Sequence, residues 1–265
     1  SVILDTLARL SRERVKEEKK NISLEEMKTL AFKAADHFPR PAFAFENALR
    51  QEGISLICEV KKASPSKGII AKDFPWLEIA KEYEAAGASS ISVLTEPEYF
   101  LGQNRYLQEI SSNVSVPVLR KDFTVDLYQI YQAKALGADA VLLICSLLTE
   151  EFLVKAYDIC RLLGLSPLTE THTEEEIKMA IRAGASIIGV NNRNLKNFQV
   201  DTENSLYLRS LIPPSILFVA ESGITSPFQL SSLKAVKADA VLIGEALMRS
   251  SNRKELLGQL REACL

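Results

Sequence analysis

The sequence contains few histidines: only His37 and His172 are present, and they lie far apart. A zinc site or a histidine-centred catalytic triad needs more than these two residues. The four cysteines include no Cys-x-x-Cys pair and stand in mostly apolar surroundings, which indicates reduced core residues in a cytoplasmic protein. The sequence therefore predicts a protein without a bound metal or another cofactor.

Long apolar runs and an excess of one charge are also missing. No segment approaches the ~20 apolar residues that cross a bilayer, and the N-terminal segment, interrupted by Asp5 and Arg9, lacks the apolar stretch of a secretion signal. Lysine and arginine number 32 against 34 acidic residues, with the two signs interspersed, so no basic surface for nucleic acid is indicated. Membrane insertion, secretion and nucleic-acid binding are not expected.

What the sequence does contain is an internal repeat, found at residues 86–93, 136–143, 183–190 and 237–243. Each copy predicts the end of a helix followed by a continuous apolar strand, which is typical of a parallel strand covered on both faces. Gly87, Gly137 and Gly184 stand where a helix needs a left-handed stop. The fourth copy departs from the repeat, because it has Lys237 at this position.

Strand patterns begin near residues 55, 89, 116, 140, 165, 187, 216 and 240, with helical patterns between them. Eight βα units predict one (βα)8 barrel of the TIM-barrel type, a single domain over residues 1–265. A doubly wound open sheet shares the alternation of strands and helices, but it explains eight comparable units less well.

Residues 1–48 precede the first strand and predict a helical extension that ends at Pro39 and Pro41. Leu4, Leu7 and Leu10 are spaced for one helix face. The extension covers either the bottom or the top of the barrel, and the pattern does not choose between them. Capping patterns predict the starts of later helices, at Thr149, Thr173 and Ser226.

Polar residues stand at the carboxyl ends of four predicted strands. A carboxylate and an ammonium two residues apart share one strand face, where burial costs desolvation energy that a purely structural strand avoids. The carboxyl ends of the strands form the active-site face of such a barrel, so we expect these side chains to converge. They are Glu59 and Lys61 on the first strand, Lys121 on the third, Glu170 on the fifth, and Asn191 with Arg193 on the sixth.

Glycines follow the seventh and eighth strands, at Gly223 and Gly244. Glycine lets backbone N–H groups approach a ligand closely, and these two strand ends are the usual phosphate site of a barrel. We therefore predict a small phosphate ester as the ligand. The segment 64–75 is long for a βα loop and contains glycine, serine and lysine, which predicts a mobile flap beside the site.

Six segments spread over nearly the whole chain carry recognisable motifs: EVKKASPSKG (59–68), ISVLTE (91–96) with Phe100 and Gly102, LRKDF (119–123), GVNNRNL (189–195), ESG (221–223) and IGEALM (243–248). Together they resemble the indole-3-glycerol phosphate synthase family. Thr169 and Thr171 depart from the family, which usually has apolar residues beside Glu170. Strand alternation points both threonines away from Glu170, so the departure concerns packing.

This resemblance implies a decarboxylating carbon–carbon lyase of tryptophan biosynthesis. Its substrate is 1-(2-carboxyphenylamino)-1-deoxyribulose 5-phosphate, which closes to indole-3-glycerol phosphate with loss of carbon dioxide and water. By similarity Lys121 is the general acid at the ketone oxygen, and Glu170 serves the later proton transfers together with Glu59 and Lys61. We expect burial and the charge of Lys61 to lower the pKa of Lys121 toward the working pH.

The resemblance also implies how the substrate is held, with Asn191 and Arg193 orienting it. No cofactor is implied, and we expect a monomer with at most weak association with other enzymes of the pathway. The predicted phosphate ligands are Ser64, Ser222, Gly223, Gly244 and Glu245. The predicted slot for the aromatic ring consists of Phe100, Phe123, Leu142, Ile144 and Leu195, although ordinary packing explains the leucines and the isoleucine equally well.

Three other functions fit parts of the pattern. A Schiff-base aldolase or a pyridoxal phosphate barrel would use Lys61 or Lys121 as its nucleophile. An isomerase acting on phosphoribosyl anthranilate would need a different acid–base pair on the first and fifth strands. A non-catalytic barrel subunit is the third, but it has no physical reason to keep charged groups in a desolvated site, where apolar replacements often stabilise the fold.

Overall fold

The computed structural model describes residues 2–37 and 40–265. Eight parallel strands form a closed barrel, in which the last strand pairs with the first through Ser55 and Ala240. The predicted strand starts are confirmed to within two residues, and closure excludes the open sheet. The strands are β1 (Ser55–Val60), β2 (Ser90–Leu94), β3 (Val118–Lys121), β4 (Ala140–Ile144), β5 (Ser166–Thr171), β6 (Ile187–Asn191), β7 (Leu217–Glu221) and β8 (Ala240–Ile243).

The N-terminal extension forms α1 (Val2–Asn21), α2 (Leu24–His37) and α3 (Ala44–Leu49). Pro41 separates α2 from α3 rather than ending the extension, while Pro39 and Ser1 lie outside the described residues.

The extension covers both ends of the barrel, so the two alternative positions are both occupied. Leu4 and Leu7 of α1 line the cavity at the carboxyl ends of the strands. At the opposite end, Ser55 at the start of β1 donates its hydroxyl hydrogen bond to the carbonyl of Ala48 in α3. Phe45 and Leu49 are fully buried there, because they close the apolar interior of the barrel.

The helix starts at Thr149, Thr173 and Ser226 are confirmed. The Thr173 hydroxyl accepts the Glu176 N–H at 3.2 Å. Ser226 forms a capping box with Gln229, and Pro227 occupies the first helical position. The glycines of the repeat are left-handed, and Lys237 adopts the same conformation with φ 57°. These helices are α4 (Trp76–Ala85), α5 (Asn104–Asn113), α6 (Leu127–Ala135), α7 (Glu150–Leu163), α8 (Glu174–Ala183), α9 (Glu203–Arg209), α10 (Pro227–Ala235), α11 (Glu245–Arg249) and α12 (Arg253–Cys264).

The core has two layers, one between strands and helices and one inside the barrel. Thr169 faces the outer layer, where its hydroxyl lies 2.6 Å from that of Tyr157. Thr171 donates to the Gly189 carbonyl, so both threonines point away from Glu170 as expected. Within the described residues, no helix is both long and apolar enough to cross a membrane.

Candidate active site

A cavity of about 660 Å³ lies at the carboxyl ends of the strands. It brings together thirteen of the predicted site residues: Glu59, Lys61, Ser64, Phe100, Lys121, Phe123, Asn191, Arg193, Leu195, Ser222, Gly223, Gly244 and Glu245. Three others do not line it. Leu142 and Ile144 are buried in the barrel interior with Phe123, so they pack the core rather than the cavity wall. Glu170 is buried beside Lys121 and Glu221, where its charge acts on both.

Two lysines approach one buried carboxylate. Lys121 Nζ lies 3.1 Å from Glu59 Oε2, and Lys61 Nζ lies 3.6 Å from Glu59 Oε1. Ser92 donates a hydrogen bond of 2.8 Å to Glu59 Oε2. Burial opposes the ionised carboxylate, but the two ammonium groups and the hydroxyl outweigh it and lower the pKa of Glu59. Glu59 is therefore an anion at neutral pH.

The two lysines differ in their electrostatic surroundings. Burial would lower the pKa of Lys121, yet the carboxylates of Glu59, Glu221 and Glu170 outweigh it, and the pKa is raised. The expected depression of the Lys121 pKa is therefore wrong, because three acidic groups surround this ammonium. Burial, with the positive charge of Lys121 nearby, instead lowers the pKa of Lys61. Of the two lysines, Lys61 is therefore the one that loses its proton more easily.

Glu221, at the end of β7, is a functional candidate that the sequence reasoning missed. It is 2% exposed and lines the cavity, and neither of its carboxylate oxygens accepts a hydrogen bond from a described residue. Burial and the neighbouring Glu170 carboxylate raise the pKa of Glu221 well above its ordinary value. Only the protonated form of a carboxyl group donates a proton, and the raised pKa favours that form of Glu221.

Two signals in the sequence point to Glu221. It ends an apolar strand, as Glu59 and Glu170 do. Gly189, in the middle of β6, is the second signal, since glycine inside a strand often marks a close approach. A Cβ atom on Gly189 would lie 2.7 Å from Glu221 Oε2, so the missing side chain makes room for this carboxyl group.

The predicted phosphate end of the cavity is organised around Asn191. Its Oδ1 accepts the Ser222 hydroxyl at 2.8 Å and the Arg193 N–H at 2.9 Å. Glu245 Oε2 lies 4.0 Å from Arg193 Nη2, and its Oε1 accepts a hydrogen bond from Arg249. The Glu245 side chain is thus engaged by arginines, and only its backbone N–H is suited to an anion.

Close packing leaves little room for a side chain at either predicted phosphate glycine. A Cβ on Gly223 would lie 2.5 Å from Val200, in the loop that follows β6. A Cβ on Gly244 would lie 3.0 Å from Glu59 Oε1 and 3.4 Å from Lys61 Nζ. These glycines therefore let the loop after β6 and the Glu59–Lys61 pair approach the ends of β7 and β8.

The predicted flap begins as a short hairpin that pairs Ala63–Ser64 with Gly68–Ile69. Ser64 Oγ accepts the Lys67 N–H at 3.3 Å, and residues 64–67 line the cavity. Its mobility stays a prediction.

An apolar wall faces these charges. The rings of Phe100 and Phe123 are 5.9 Å apart and inclined at 40°. Leu195 packs against the same cluster, and Ile3, Leu4 and Leu7 extend the wall from α1. The spacing of the leucines in α1 predicted a buried face, but not that this face belongs to the cavity.

Comparison with known proteins gives one family. The sequence profile described as indole-3-glycerol phosphate synthase matches residues 4–260. The protein of that name from Ruminiclostridium cellulolyticum is 53% identical over 260 residues, covering 98% of this chain and 99% of its own length. The one from Lachnoclostridium phytofermentans is 50% identical over 268 residues, covering 98% and 99% respectively.

Among solved structures, the 3-hexulose-6-phosphate synthase from Salmonella typhimurium matches with a TM-score of 0.66 at 11% sequence identity. This match covers 80% of this chain and 98% of that one, and at this identity it shows the barrel fold alone. The family rests on the profile and on the relatives at about 50% identity. This chain belongs to the indole-3-glycerol phosphate synthase family.

Proposed function

We propose that the cavity at the carboxyl ends of the strands converts 1-(2-carboxyphenylamino)-1-deoxyribulose 5-phosphate to indole-3-glycerol phosphate. Family membership assigns the chain to the decarboxylating lyases of tryptophan biosynthesis. The carboxyphenyl ring lies against Phe100 and Phe123, and the phosphate lies between Lys61, Arg193 and the backbone of Gly223 and Gly244. An apolar wall facing a charged end supports this orientation of a substrate that is aromatic at one end and anionic at the other.

Ring closure joins the ring carbon that carries the carboxylate to the ketone carbon of the sugar. Lys121 donates a proton to the ketone oxygen as this bond forms, and its charge stabilises the developing alkoxide. Glu59 holds the ammonium 3.1 Å away, and Asn191 and Arg193 orient the sugar. The bond between the carboxylate carbon and the ring then breaks, carbon dioxide departs, and the electron pair of that bond stays in the ring and restores its aromaticity.

The final step removes the hydroxyl formed at the former ketone carbon and a proton from the neighbouring carbon. Glu170 takes this proton, and an acid must protonate the departing hydroxyl. We assign that acid to Lys61, because its pKa is lowered whereas that of Lys121 is raised. The raised pKa of Glu221, which lies beside Glu170, favours its protonated form and so limits the repulsion between the two groups.

One observation carries this proposal: the ammonium of Lys121 is held among Glu59, Glu170 and Glu221 inside a cavity with an aromatic wall. A general acid begins as the charged ammonium, whereas a Schiff-base nucleophile attacks as the neutral amine. The three acidic groups favour the charged form of Lys121 before the reaction begins. The lowered pKa of Lys61 favours the neutral amine that a Schiff base needs. Borohydride trapping tests whether a Schiff base forms at this residue.

The test follows indole fluorescence after purified protein is mixed with the substrate in buffer that contains a metal chelator. Wild-type protein should give a rise, and Lys121→Ala should reduce the rate at least about a hundredfold, the range of a general acid. Lys155→Ala, which changes an exposed lysine of α7, is the matched control and should keep full activity. Saturable binding without a fluorescence rise in wild-type protein would favour the non-catalytic barrel.

We further propose that α1–α3 and the barrel act as one domain and as a cytoplasmic monomer. The cavity wall uses Leu4 and Leu7, which supports a single unit. The four cysteines are buried thiols, which is typical of a reducing compartment. Sedimentation of the purified protein at several concentrations tests the monomer, and any weak association with pathway enzymes is tested by adding them.

A further inference from the structure

Glu96 is a buried carboxylate that the proposed mechanism does not use. It follows β2, is 0% exposed, and its side chain turns back onto its own loop. The Glu98 N–H donates to Glu96 Oε2 at 2.9 Å, and the Phe100 N–H donates to Glu96 Oε1 at 3.2 Å. The Tyr99 N–H also donates to Oε1. Three backbone donors in succession compensate for the removal of this charge from water.

The turn that these bonds hold is tightly constrained, and we name residues 97–102 the ring-slot turn. The Gly102 N–H donates to the Glu96 carbonyl at 2.7 Å, and Leu101 is left-handed with φ 52°. A Cβ on Gly102 would collide with the carbonyl of Leu94, so the turn folds back directly onto the end of β2. Glu96 lies at the centre of this fold-back.

Phe100 occupies the turn and presents its ring to Phe123 at 5.9 Å. Phe123 is anchored in a similar way, because its N–H donates to Asp122 Oδ1 at 2.7 Å. Thr95, next to Glu96, donates its hydroxyl to the other oxygen of Asp122 and so links the two loops. The backbone N–H of each phenylalanine in the slot therefore donates a hydrogen bond to a buried carboxylate, Glu96 for Phe100 and Asp122 for Phe123.

We propose that Glu96 is a positioning residue that sets the place of Phe100 in the slot for the carboxyphenyl ring, acting through the backbone of the ring-slot turn. This proposal rests on the proposed function for the identity of the ligand. Glu96 reaches the substrate only through Phe100, so its effect must disappear when the Phe100 ring is absent. Glu98 is exposed in the same turn and provides a matched control.

The experiment is a double-mutant cycle between Glu96→Gln and Phe100→Ala. An amide keeps the size of the side chain but replaces one acceptor by a donor that faces backbone N–H groups. In the wild-type background, Glu96→Gln should lower kcat/KM by about tenfold to a hundredfold, mainly through KM. In the Phe100→Ala background it should change kcat/KM by less than about twofold. Glu98→Gln should leave both constants unchanged.

The same cycle is measured by titration calorimetry with an unreactive analogue whose ketone is reduced to an alcohol, and with inorganic phosphate. Glu96→Gln should weaken analogue binding and leave phosphate binding unchanged. Equal losses in both Phe100 backgrounds, or weaker phosphate binding, would overturn the positioning role. If wild-type protein binds the analogue but makes no product, the catalytic proposal fails, and the binding cycle alone decides the role of Glu96.

A folding control separates positioning from a general loss of structure. Circular dichroism should show a cooperative thermal transition for every variant. Glu96→Asp keeps the charge and shortens the side chain by one methylene, so it should fold and give a loss smaller than that of Glu96→Gln. If Glu96→Gln does not fold, the cycle is run with Glu96→Asp. Equal losses from Glu96→Asp with and without the Phe100 ring would then overturn the proposal.

Discussion

Lys121 on β3 and Glu59 on β1 are joined across the intervening strand by a contact of 3.1 Å. Ser92 on β2 donates to the same carboxylate oxygen, so three adjacent strands meet at Glu59 Oε2. Glu59 is buried and Lys121 is half-buried, so little water screens the two charges and their electrostatic effects are large. The protonation of the site is therefore governed by this carboxylate and by the acidic groups beyond it.

Removal of the Glu59 charge should lower the pKa of Lys121. Glu59→Gln takes away the nearest of the groups that raise this pKa, while the opposing effect of burial remains. NMR titration of the lysine side chains should show Lys121 losing its proton at lower pH than in wild-type protein. Ser92→Ala, which removes only a hydroxyl group, is the control and should shift this titration less. An unchanged Lys121 titration in Glu59→Gln would contradict the assignment.

Lys61 should control the alkaline side of the pH–activity profile. Its pKa is lowered and that of Lys121 is raised, so Lys61 loses its proton first as the pH increases. Arginine stays protonated throughout this range. Lys61→Arg should therefore reduce kcat and move the alkaline decline of kcat/KM to higher pH. If kcat/KM of Lys61→Arg declined at the same pH as in wild-type protein, another group would have to titrate in that pH range.

Glu221→Gln should stabilise the protein at alkaline pH while reducing its activity. The pKa of Glu221 is raised in the native state, so between its ordinary pKa of 4.5 and the native value the folded protein binds more protons than the unfolded chain. The free energy of unfolding then falls as the pH rises, by up to about 1.4 kcal/mol per pH unit. Glutamine does not ionise, so the free energy of unfolding of the variant should fall less steeply as the pH rises.

Urea unfolding at several pH values measures the Glu221 effect. Glu52→Gln changes an exposed carboxylate and is the matched control, which should retain the wild-type pH dependence. Parallel stability curves for wild-type protein and Glu221→Gln would mean that Glu221 is not protonated in the native state.

Lys237→Gly should stabilise the fold by about 1 kcal/mol, since a residue with a Cβ is strained in the left-handed region. Lys237 is exposed and has φ 57°, whereas the corresponding glycines of the repeat adopt this conformation without strain. Urea unfolding provides the measurement. Lys234→Gly, in the last turn of α10, is the control and should destabilise by up to about 1 kcal/mol, because glycine weakens a helix. A loss of stability in Lys237→Gly would refute the strain.

Most of the fold was predictable because barrel units leave local signals. The apolar runs of β1–β8 and the helix stops at Gly87, Gly137 and Gly184 depend on residues close together in the chain. The extension was less predictable. The leucine spacing of α1 shows that one face is buried, but its partner lies far away in sequence, so periodicity could not place α1 over the top and α3 at the bottom.

The candidate site was also only partly predictable from the sequence. Charged residues at strand ends are visible in the sequence, and the structure gathers Glu59, Lys61 and Lys121 around one cavity. The roles of individual residues could not be obtained so simply. Leu142 and Ile144 alternate correctly for the interior, yet the depth of a side chain inside a barrel depends on its neighbours, and both lie outside the cavity wall.

The sequence by itself determined the βα repeat, the barrel and the residue types that reach its active end, because strand and helix periodicities are local properties. Only the tertiary structure decided the ionisation of the site. Whether Lys121 or Lys61 has the lowered pKa, and whether Glu221 is charged, depends on distances between strands that are far apart in the chain. Coulomb energies in a desolvated site vary steeply with such distances, and no local pattern encodes them.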